Sequence, residues 1–274
     1  MPHPMTPRTA FAVLFRADIR YALHSARGVL LLVFFGLFWA WIFTRLGGWA
    51  TALASPEAGM VASMLSDDQG LLALVRSESP TMATFYWIAL SATPIFATLA
   101  GCDQTATDLA SKHLRFLIPR TGRGSIYLAR FFGSATLLVF AQFAATGVAV
   151  LVALSTDSTS TPAVLSFALR AALALATYSV AFVALYAPLT AAIPSPAIVA
   201  LSGLGTYAVL LILAATVQGR WPWAGYMTYI TPGGFKGQLT DTAFTPTLVA
   251  FAGLGVQSLL YLALGWRVFR ERDA

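Results

Sequence analysis

Six long apolar stretches, each nearly free of charge, restrict what this 274-residue chain can fold into. A helix needs roughly 20 apolar residues to cross a bilayer, and these stretches have about that length. They are continuous and lack the alternation of a transmembrane β-strand, so they indicate helices. The sequence therefore predicts an all-α fold, a polytopic membrane helical bundle with six transmembrane helices. The predicted spans are about 29–45, 82–101, 131–154, 164–187, 197–217 and 247–267.

The segment ahead of the first span has the pattern of an amphipathic helix. Apolar residues recur at helical spacing over residues 8–27, and Arg16, Arg20 and Arg27 lie in the opposite stripe. Basic amphipathic helices of this kind lie in the membrane interface. We predict an N-terminal amphipathic interfacial helix in a cytoplasmic elbow, residues 1–28, followed by a transmembrane domain, residues 29–274. The elbow is either a membrane anchor or a brace against a cytosolic partner.

The basic residues are distributed unequally between the two sides of the predicted bundle. Twelve of the 17 Lys and Arg residues lie in the N-terminal segment, in loop 102–130 and at the C-terminal end, which six spans place on one side. Four lie on the other side, and Arg170 lies near a span end. The positive-inside rule then predicts cytoplasmic termini in a bacterial-type inner membrane. This topology accounts for the pI of about 9.8, so no nucleic-acid partner is expected.

The scarcity of charge argues against several kinds of chemistry. Only 10% of the residues are charged, and the mean hydropathy is +0.73. The central parts of the spans contain no Asp, Glu, Lys or His, which argues against proton coupling, although sodium coupling through carbonyls stays open. The histidines, His3, His24 and His113, all lie outside the spans, so neither an intramembrane protease nor a metal cluster is expected. Neither lysine lies in a P-loop motif, so the chain is expected to be no ATPase and to bind no cofactor itself.

Two segments on the predicted outer side leave their roles open. In segment 46–80, Pro56 and Asp67 mark the starts of one or two short external helices. Segment 218–246 is rich in Trp and Tyr, which favour the membrane interface. It is interpreted as an interfacial aromatic belt, with a substrate gate as the alternative.

Loop 102–130 is the most basic loop of the chain and holds five of its Lys and Arg residues. An acid early and bases later suit the dipole of a short helix over residues 103–118. Leu109, Leu114 and Phe116 are expected to form apolar projections from this helix, and Pro119 is expected to end it. Arg130 then opens the third span.

This loop resembles the cytoplasmic loop of six-span permease (transmembrane) subunits of ABC transporters, the type-2 exporter class. Asp103 or Asp108 matches the acidic residue after the second span of that class, and residues 114–118 match its apolar stretch. Pro119 with the following arginines matches its Pro-x-x-Arg turn, and Arg130 stands where those proteins usually have Lys. The chain departs from the pattern at residues 111–113, where Gly-Thr is usual.

The resemblance implies an exporter permease subunit that pairs with a second permease chain, as a homodimer or heterodimer, in membrane lipid. A separate ABC ATPase subunit, carrying ATP and Mg, would dock on the loop and the elbow. The alternatives are a non-transporting membrane scaffold or regulatory protein of an envelope assembly and, ranked last, a facilitative channel. The residues implied in ATPase docking are Asp103, Asp108, Leu109, Lys112, Leu114, Arg115, Phe116, Pro119, Arg120 and Arg123 in the loop, and Arg16, Arg20 and Arg27 in the elbow.

Overall fold

The structure, a computed structural model, describes residues 6–55, 69–217 and 221–272, and this part of the chain is all-α. Two 3₁₀ segments, Pro222–Ile230 and Pro232–Phe235, accompany the α-helices. The α-helices are α1 (Pro7–His24), α2 (Ala26–Ala54), α3 (Gln69–Ser77), α4 (Pro80–Gly101), α5 (Ala106–Ala110), α6 (Leu114–Thr121), α7 (Arg123–Thr156), α8 (Thr161–Ala192), α9 (Pro196–Val217), α10 (Lys236–Thr240) and α11 (Phe244–Glu271).

Six of these helices, α2, α4, α7, α8, α9 and α11, are long and apolar enough to cross a membrane. The predicted number of spans is therefore confirmed. Helix α7 begins at Arg123, well before the apolar stretch that begins near residue 131. Its start follows Gly122, whose φ of 77° lies in the left-handed region that glycine favours, so backbone geometry rather than hydropathy sets this boundary.

Helices α4 and α8 form the buried centre of the bundle, and α9 is the span that is least covered by the rest of the protein. Helix α8 packs closely against α11 because Gly265 has no side chain. A Cβ at Gly265 would lie 2.9 Å from the backbone carbonyl carbon of Ala187. Small residues at such crossings let transmembrane helices pack closely. Close packing matters in a lipid bilayer, because the hydrophobic effect does not drive apolar helices together there.

One end of the bundle gathers α1, residues 102–122, residues 193–195 and the C-terminal end of α11, and we call it the termini end. The Arg123 Nη1 donates to the Arg272 carbonyl at 2.7 Å and also to the Arg270 carbonyl. Arg272 in turn donates to the carbonyl of Ala192 at the end of α8. These bonds satisfy carbonyls that the last turns of α11 and α8 leave without helical partners.

The opposite end holds α3, α10, residues 157–160 and residues 241–243. Asp157 accepts hydrogen bonds from the Ser79 hydroxyl, the Thr81 hydroxyl at 2.6 Å and the Thr81 backbone N–H at 3.1 Å, so it caps the start of α4. Arg170 donates to the Asp241 carbonyl and to the Thr247 hydroxyl at 2.9 Å. These bonds tie α8 to the start of α11.

The predicted N-terminal helix is present as α1, which ends at His24 before the break at Ser25. It packs along α7, where the rings of Phe11 and Phe132 meet edge to face at 6.0 Å. The first span begins directly after the break, and the Ser25 hydroxyl accepts from the Gly28 N–H at its start.

Only parts of the two segments predicted to lie on the outer side, 46–80 and 218–246, are described. The helix starts predicted at Pro56 and Asp67 lie outside the described residues, whereas α3 is a short helix within the same segment. Trp221, Trp223 and Tyr226 of the aromatic segment are exposed, at the start of and within the first 3₁₀ segment.

Candidate functional site

An ion cluster at the termini end joins three elements that are far apart in sequence. Arg130 of α7 binds Asp108 of α5 through Nη2 at 2.8 Å and Nε at 2.9 Å, and it binds Asp18 of α1 through Nη1. The side chains of Asp18, Asp108 and Arg130 are only 12%, 11% and 24% exposed. His113 approaches the other oxygen of Asp108, with Nδ1 at 3.9 Å. The cluster fastens the loop and the N-terminal helix to the third span.

Asp18 is largely buried and shares Arg130 with a second carboxylate, and both circumstances affect its pKa. Burial is the largest effect on its pKa, followed by Arg130, which lowers it, and Asp108, which raises it. The net result is a pKa raised from 3.8 to about 6. The Oδ2 atom of Asp18 is buried and has no hydrogen-bond partner in the described part of the chain. One guanidinium therefore serves two buried carboxylates, and one of them is only partly satisfied.

The loop contains two short helices where the sequence predicted a single one over residues 103–118. Helix α5 ends at Ala110, α6 begins at Leu114, and Lys112 between them has a φ of 56°. That left-handed conformation breaks the helix. The prediction that Pro119 ends the helix is wrong. Pro119 lies within the second helix, which ends at Thr121 with Gly122 as its C-cap.

The predicted loop residues separate into an inner and an outer set. Leu114 is 3% exposed and packs with Tyr127 and Phe269, and Leu109 contacts the same cluster, so the expectation that Leu114 projects from the surface is wrong. Phe116 is 74% exposed. The other outward-facing residues of the predicted set are Lys112, Arg115, Pro119 and Arg120 in the loop and Arg16 and Arg20 on α1.

Four predicted residues have other settings. Asp108 is buried in the ion cluster, and Arg123 is half-buried against the carbonyls of α11. Asp103 is half-buried and accepts a hydrogen bond from the Thr107 N–H at 3.2 Å. Arg27 lies within α2, but its side chain is outside the described part of the structure.

Asp18 is the member of the cluster that the sequence analysis missed, although the sequence held a signal for it. Phe11, Leu14, Phe15, Asp18 and Ile19 recur at the spacing of one helical face, so a single acid falls within the apolar stripe of a basic helix. An acid on a buried face requires a partner, since an unpaired buried charge is costly. That partner is Arg130, more than one hundred residues later in the chain.

Beside the ion cluster lies a cavity of about 930 Å³. Polar side chains line one part of it, including Asp18, Asp108 and Arg130, and apolar side chains of α2, α4, α7 and α9 line the rest. Cavities that bind small molecules typically measure 300–1,000 Å³ and combine apolar walls with a few convergent polar groups. The cavity therefore lies within the size range of small-molecule sites and has both apolar and polar lining.

No protein-family model matches the chain, and no curated protein sequence matches it. Within the described residues, no group of three or more His, Cys, Asp and Glu side chains is placed to hold a metal ion.

Proposed function

We propose that this chain is the membrane-spanning permease subunit of an ATP-driven transporter of the ABC class, and that it acts as an exporter. The proposal rests on the resemblance of loop 102–130 to the loops of type-2 exporter permeases. It has support from one geometric observation, the exposed Phe116 on a short helix whose inner side is anchored by the buried Leu114.

The surroundings of Phe116 suit a protein partner. Arg115, Arg120 and Lys112 are exposed near it, so a large apolar side chain projects from a basic surface. Interfaces commonly place an aromatic residue at their centre with charged groups around it. A groove on an ATPase subunit that is apolar inside and acidic at its rim would complement this surface.

The ion cluster supports a route by which movement of the docked loop reaches the membrane. A push on α5 and α6 would act through Asp108 on Arg130, at the start of the third span, and through Asp18 on α1. Salt bridges that connect separate elements in this way let them move together. ATP and Mg would be bound by the partner, and two copies of the permease would enclose the path.

The proposed placement follows from the charges. Lys and Arg are concentrated at the termini end, so this end is proposed to face the cytoplasm of a bacterial-type inner membrane. Helix α1 is proposed to lie in the cytoplasmic interface, because it exposes Arg16 and Arg20 while it packs apolar residues onto α7.

The test is co-expression of the chain with any ABC ATPase encoded beside its gene, followed by purification in detergent and assay of ATP hydrolysis. We expect the two proteins to co-elute. We expect Phe116→Asp to weaken their association by about tenfold or more, since a central interface residue is worth roughly 2 kcal/mol or more and a buried carboxylate without a partner adds a penalty.

Phe244→Asp is the matched control, because Phe244 is 78% exposed and lies at the opposite end. Leu114→Asp is less informative, since it places a charge in the cluster formed with Tyr127 and Phe269 and disturbs the fold itself. If the two phenylalanine variants associate with the ATPase equally well, docking through α6 is wrong. If no ATPase co-elutes with the wild-type chain, a non-transporting scaffold replaces the proposed role.

A further inference from the structure

Lys236, at the start of α10, places a positive charge halfway along a membrane-spanning helix. Its Nζ donates a hydrogen bond to the Ser91 hydroxyl of α4 at 2.9 Å and lies 4.7 Å from the centre of the Trp87 ring. Ser91 is the twelfth of the 22 residues of α4, so it lies about 16 Å along the axis from either end of that helix. The ammonium group itself, and not only the backbone of Lys236, therefore lies at this level.

Charged groups beyond both ends of α4 indicate that this level is the middle of the membrane. Asp157 binds the Thr81 N–H at one end, and Asp103 lies just beyond Gly101 at the other. From Thr81 to Gly101 the helix rises about 30 Å, which is the thickness of the hydrocarbon core of a bilayer. Ser91 lies midway between these two residues, so its neighbour Lys236 holds its charge at the depth where hydrocarbon would be most costly.

The chain between α9 and α11, which carries Lys236, reaches the same depth beside α11. The Gln257 Nε2 donates to the carbonyls of Tyr229 and Ile230, each at 3.1 Å. Gln257 is the fourteenth of the 28 residues of α11, or about 20 Å along the axis from Phe244 at its start. This 3₁₀ backbone therefore dips between the spans and returns. Backbone that is not α-helical occurs at membrane depth where it is buried in protein or lines a water-filled space.

The surface beside Lys236 is open in the described part of the chain. Lys236 is half-buried, and Ser91 is exposed. Ile95 and Leu99 follow Ser91 at intervals of four residues on the same face of α4, and they are 48% and 45% exposed. Leu99 also lines the 930 Å³ cavity at the termini end. We call Ser91, Ile95 and Leu99 the α4 strip, and it connects the level of Lys236 with the cavity.

Lipid hydrocarbon is a poor environment for Lys236. Lysines at the middle of a bilayer face the interior of a bundle or a water-filled cavity, because a charge in hydrocarbon is costly. This holds whatever other contacts Lys236 makes, since an ion pair also loses its hydration there. We propose that Lys236 and the α4 strip form the wall of a water-filled path that leads from the cavity past Ser91 toward the opposite end. Such a path admits the polar part of a cargo.

Cysteine accessibility tests the proposal. As a route for cargo the path rests on the transporter function proposed above, whereas its filling with water does not, so the test uses the full chain alone in lipid nanodiscs. Cys102→Ser removes the only native cysteine, and Ser91→Cys or Ile95→Cys then adds one to the α4 strip. Ile95→Cys leaves the bond between Ser91 and Lys236 intact. Each variant is treated with a trimethylammonium methanethiosulfonate, a charged reagent that stays in water and modifies the thiolate form of cysteine.

Leu173→Cys on α8 is the matched control, because Leu173 is 50% exposed at nearly the same depth. Tyr86 of α4 and Phe167 of α8 meet edge to face at 5.8 Å, which fixes the relative height of the two helices. We expect Ser91→Cys and Ile95→Cys to react about tenfold or more faster than Leu173→Cys, since a thiol in lipid does not ionise. Equal rates at all three positions would overturn the proposal. An unreactive α4 strip would overturn it as well, because lipid or a second copy of the chain then covers it.

Lys236→Met tests whether Lys236 belongs to the wall. In the Ile95→Cys variant, modification by an anionic sulfonate methanethiosulfonate is compared with modification by the cationic reagent. Removal of one positive charge should lower the ratio of the anionic to the cationic rate several-fold. This comparison does not depend on the other contacts of Lys236, because the paired variants differ by one charge in any case. Arg267→Met, which removes an exposed charge on α11, is the matched control and should leave the ratio unchanged. An unchanged ratio in Lys236→Met would overturn the assignment of Lys236 to the wall.

These experiments use no ATPase, so their result is separate from the docking test. A reactive α4 strip in a chain that binds no ATPase would leave the water-filled path in place and remove its role in ATP-driven transport. An unreactive α4 strip in a chain that binds its ATPase normally would remove this path and leave the transporter.

Discussion

The two ends of the bundle handle charge in different ways. At the termini end, Arg130 faces two carboxylates, Asp18 and Asp108, and all three are largely buried. At the opposite end, the hydrogen bonds of Asp157 and Arg170 in the described part of the chain join each of them to neutral groups. Asp157 accepts from hydroxyls and a backbone N–H, and Arg170 donates to carbonyls and a hydroxyl. One end balances charge against charge, and the other spreads each charge over neutral groups.

This difference bears on what each end can do. A charge that forms hydrogen bonds with neutral groups holds those groups in place. At the opposite end, such bonds cap one helix and connect two others. In a cluster of buried ions, removal of one member leaves the charge of another member buried without its partner, and this destabilises the fold. The termini end also contains the 930 Å³ cavity, so its ion cluster borders a space that a ligand can enter.

The largest effect is expected from Arg130→Met. This change leaves Asp18 and Asp108 buried without their cation, and breaking a buried ion pair in this way typically costs about 3–5 kcal/mol. The free energy of unfolding, measured by denaturant titration of the purified chain in detergent, is expected to fall accordingly. Asp18→Asn in the Arg130→Met background should recover part of the loss.

Arg170→Met is the matched change at the opposite end. It removes hydrogen bonds from a charged group to neutral acceptors, which are worth about 1.5–3 kcal/mol. The contrast between the ends requires the Arg130 variant to be clearly the less stable of the two. Equal losses would mean that the ion cluster is no more tightly coupled than a set of hydrogen bonds.

A smaller loss is expected from Asp157→Ala. The change leaves the Thr81 N–H and the hydroxyls of Ser79 and Thr81 without their acceptor at the start of α4. Loss of a helix-capping side chain costs about 0.5–2 kcal/mol, and the same denaturant titration measures it.

Asp157→Asn serves as the control, because it keeps one carbonyl oxygen as an acceptor. It should therefore lower the free energy of unfolding by only about half as much as Asp157→Ala. If the charge of Asp157 mattered as it does in the ion cluster, the Asn and Ala variants would instead be equally unstable. That result would erase the distinction between the two ends.

The number of membrane-spanning helices was predictable, because an apolar stretch of about twenty residues favours a helix in the membrane whatever tertiary contacts that helix makes. The loop was less so. Residues 103–118 have the composition of one helix, but Lys112 adopts a left-handed conformation that no local pattern requires. Leu114 was expected at the surface and is buried by Phe269, a contact that arises only when the last span returns to the loop.

The ion cluster shows the same limit at the level of single side chains. Asp108 and Arg130 were both identified, one for docking and one as the residue that opens the third span, but their pairing across a sharp turn was not. Asp18 required the observation that an acid lies on the apolar face of α1. The helical pattern of the sequence shows that acid, but it does not show that Arg130 is its partner.

The pH dependence of stability gives a further comparison, between Asp18 and Glu78 at the opposite end. Burial raises the pKa of Asp18 from 3.8 to about 6 in the folded chain. Between these values the folded state binds more protons than the unfolded state, so this carboxyl lowers the free energy of unfolding as the pH rises from about 4 to about 6. Relative to Asp18→Asn, wild-type protein should thus lose a few degrees of Tm over this range and nothing further above it.

Burial also raises the pKa of the half-buried Glu78. Relative to Glu78→Gln, the Tm of the wild-type protein should therefore also fall as the pH rises, but by less. Thermal unfolding in detergent from pH 4 to pH 7 measures both, and a wild-type Tm that gains on Asp18→Asn with rising pH would show instead that Arg130 outweighs burial.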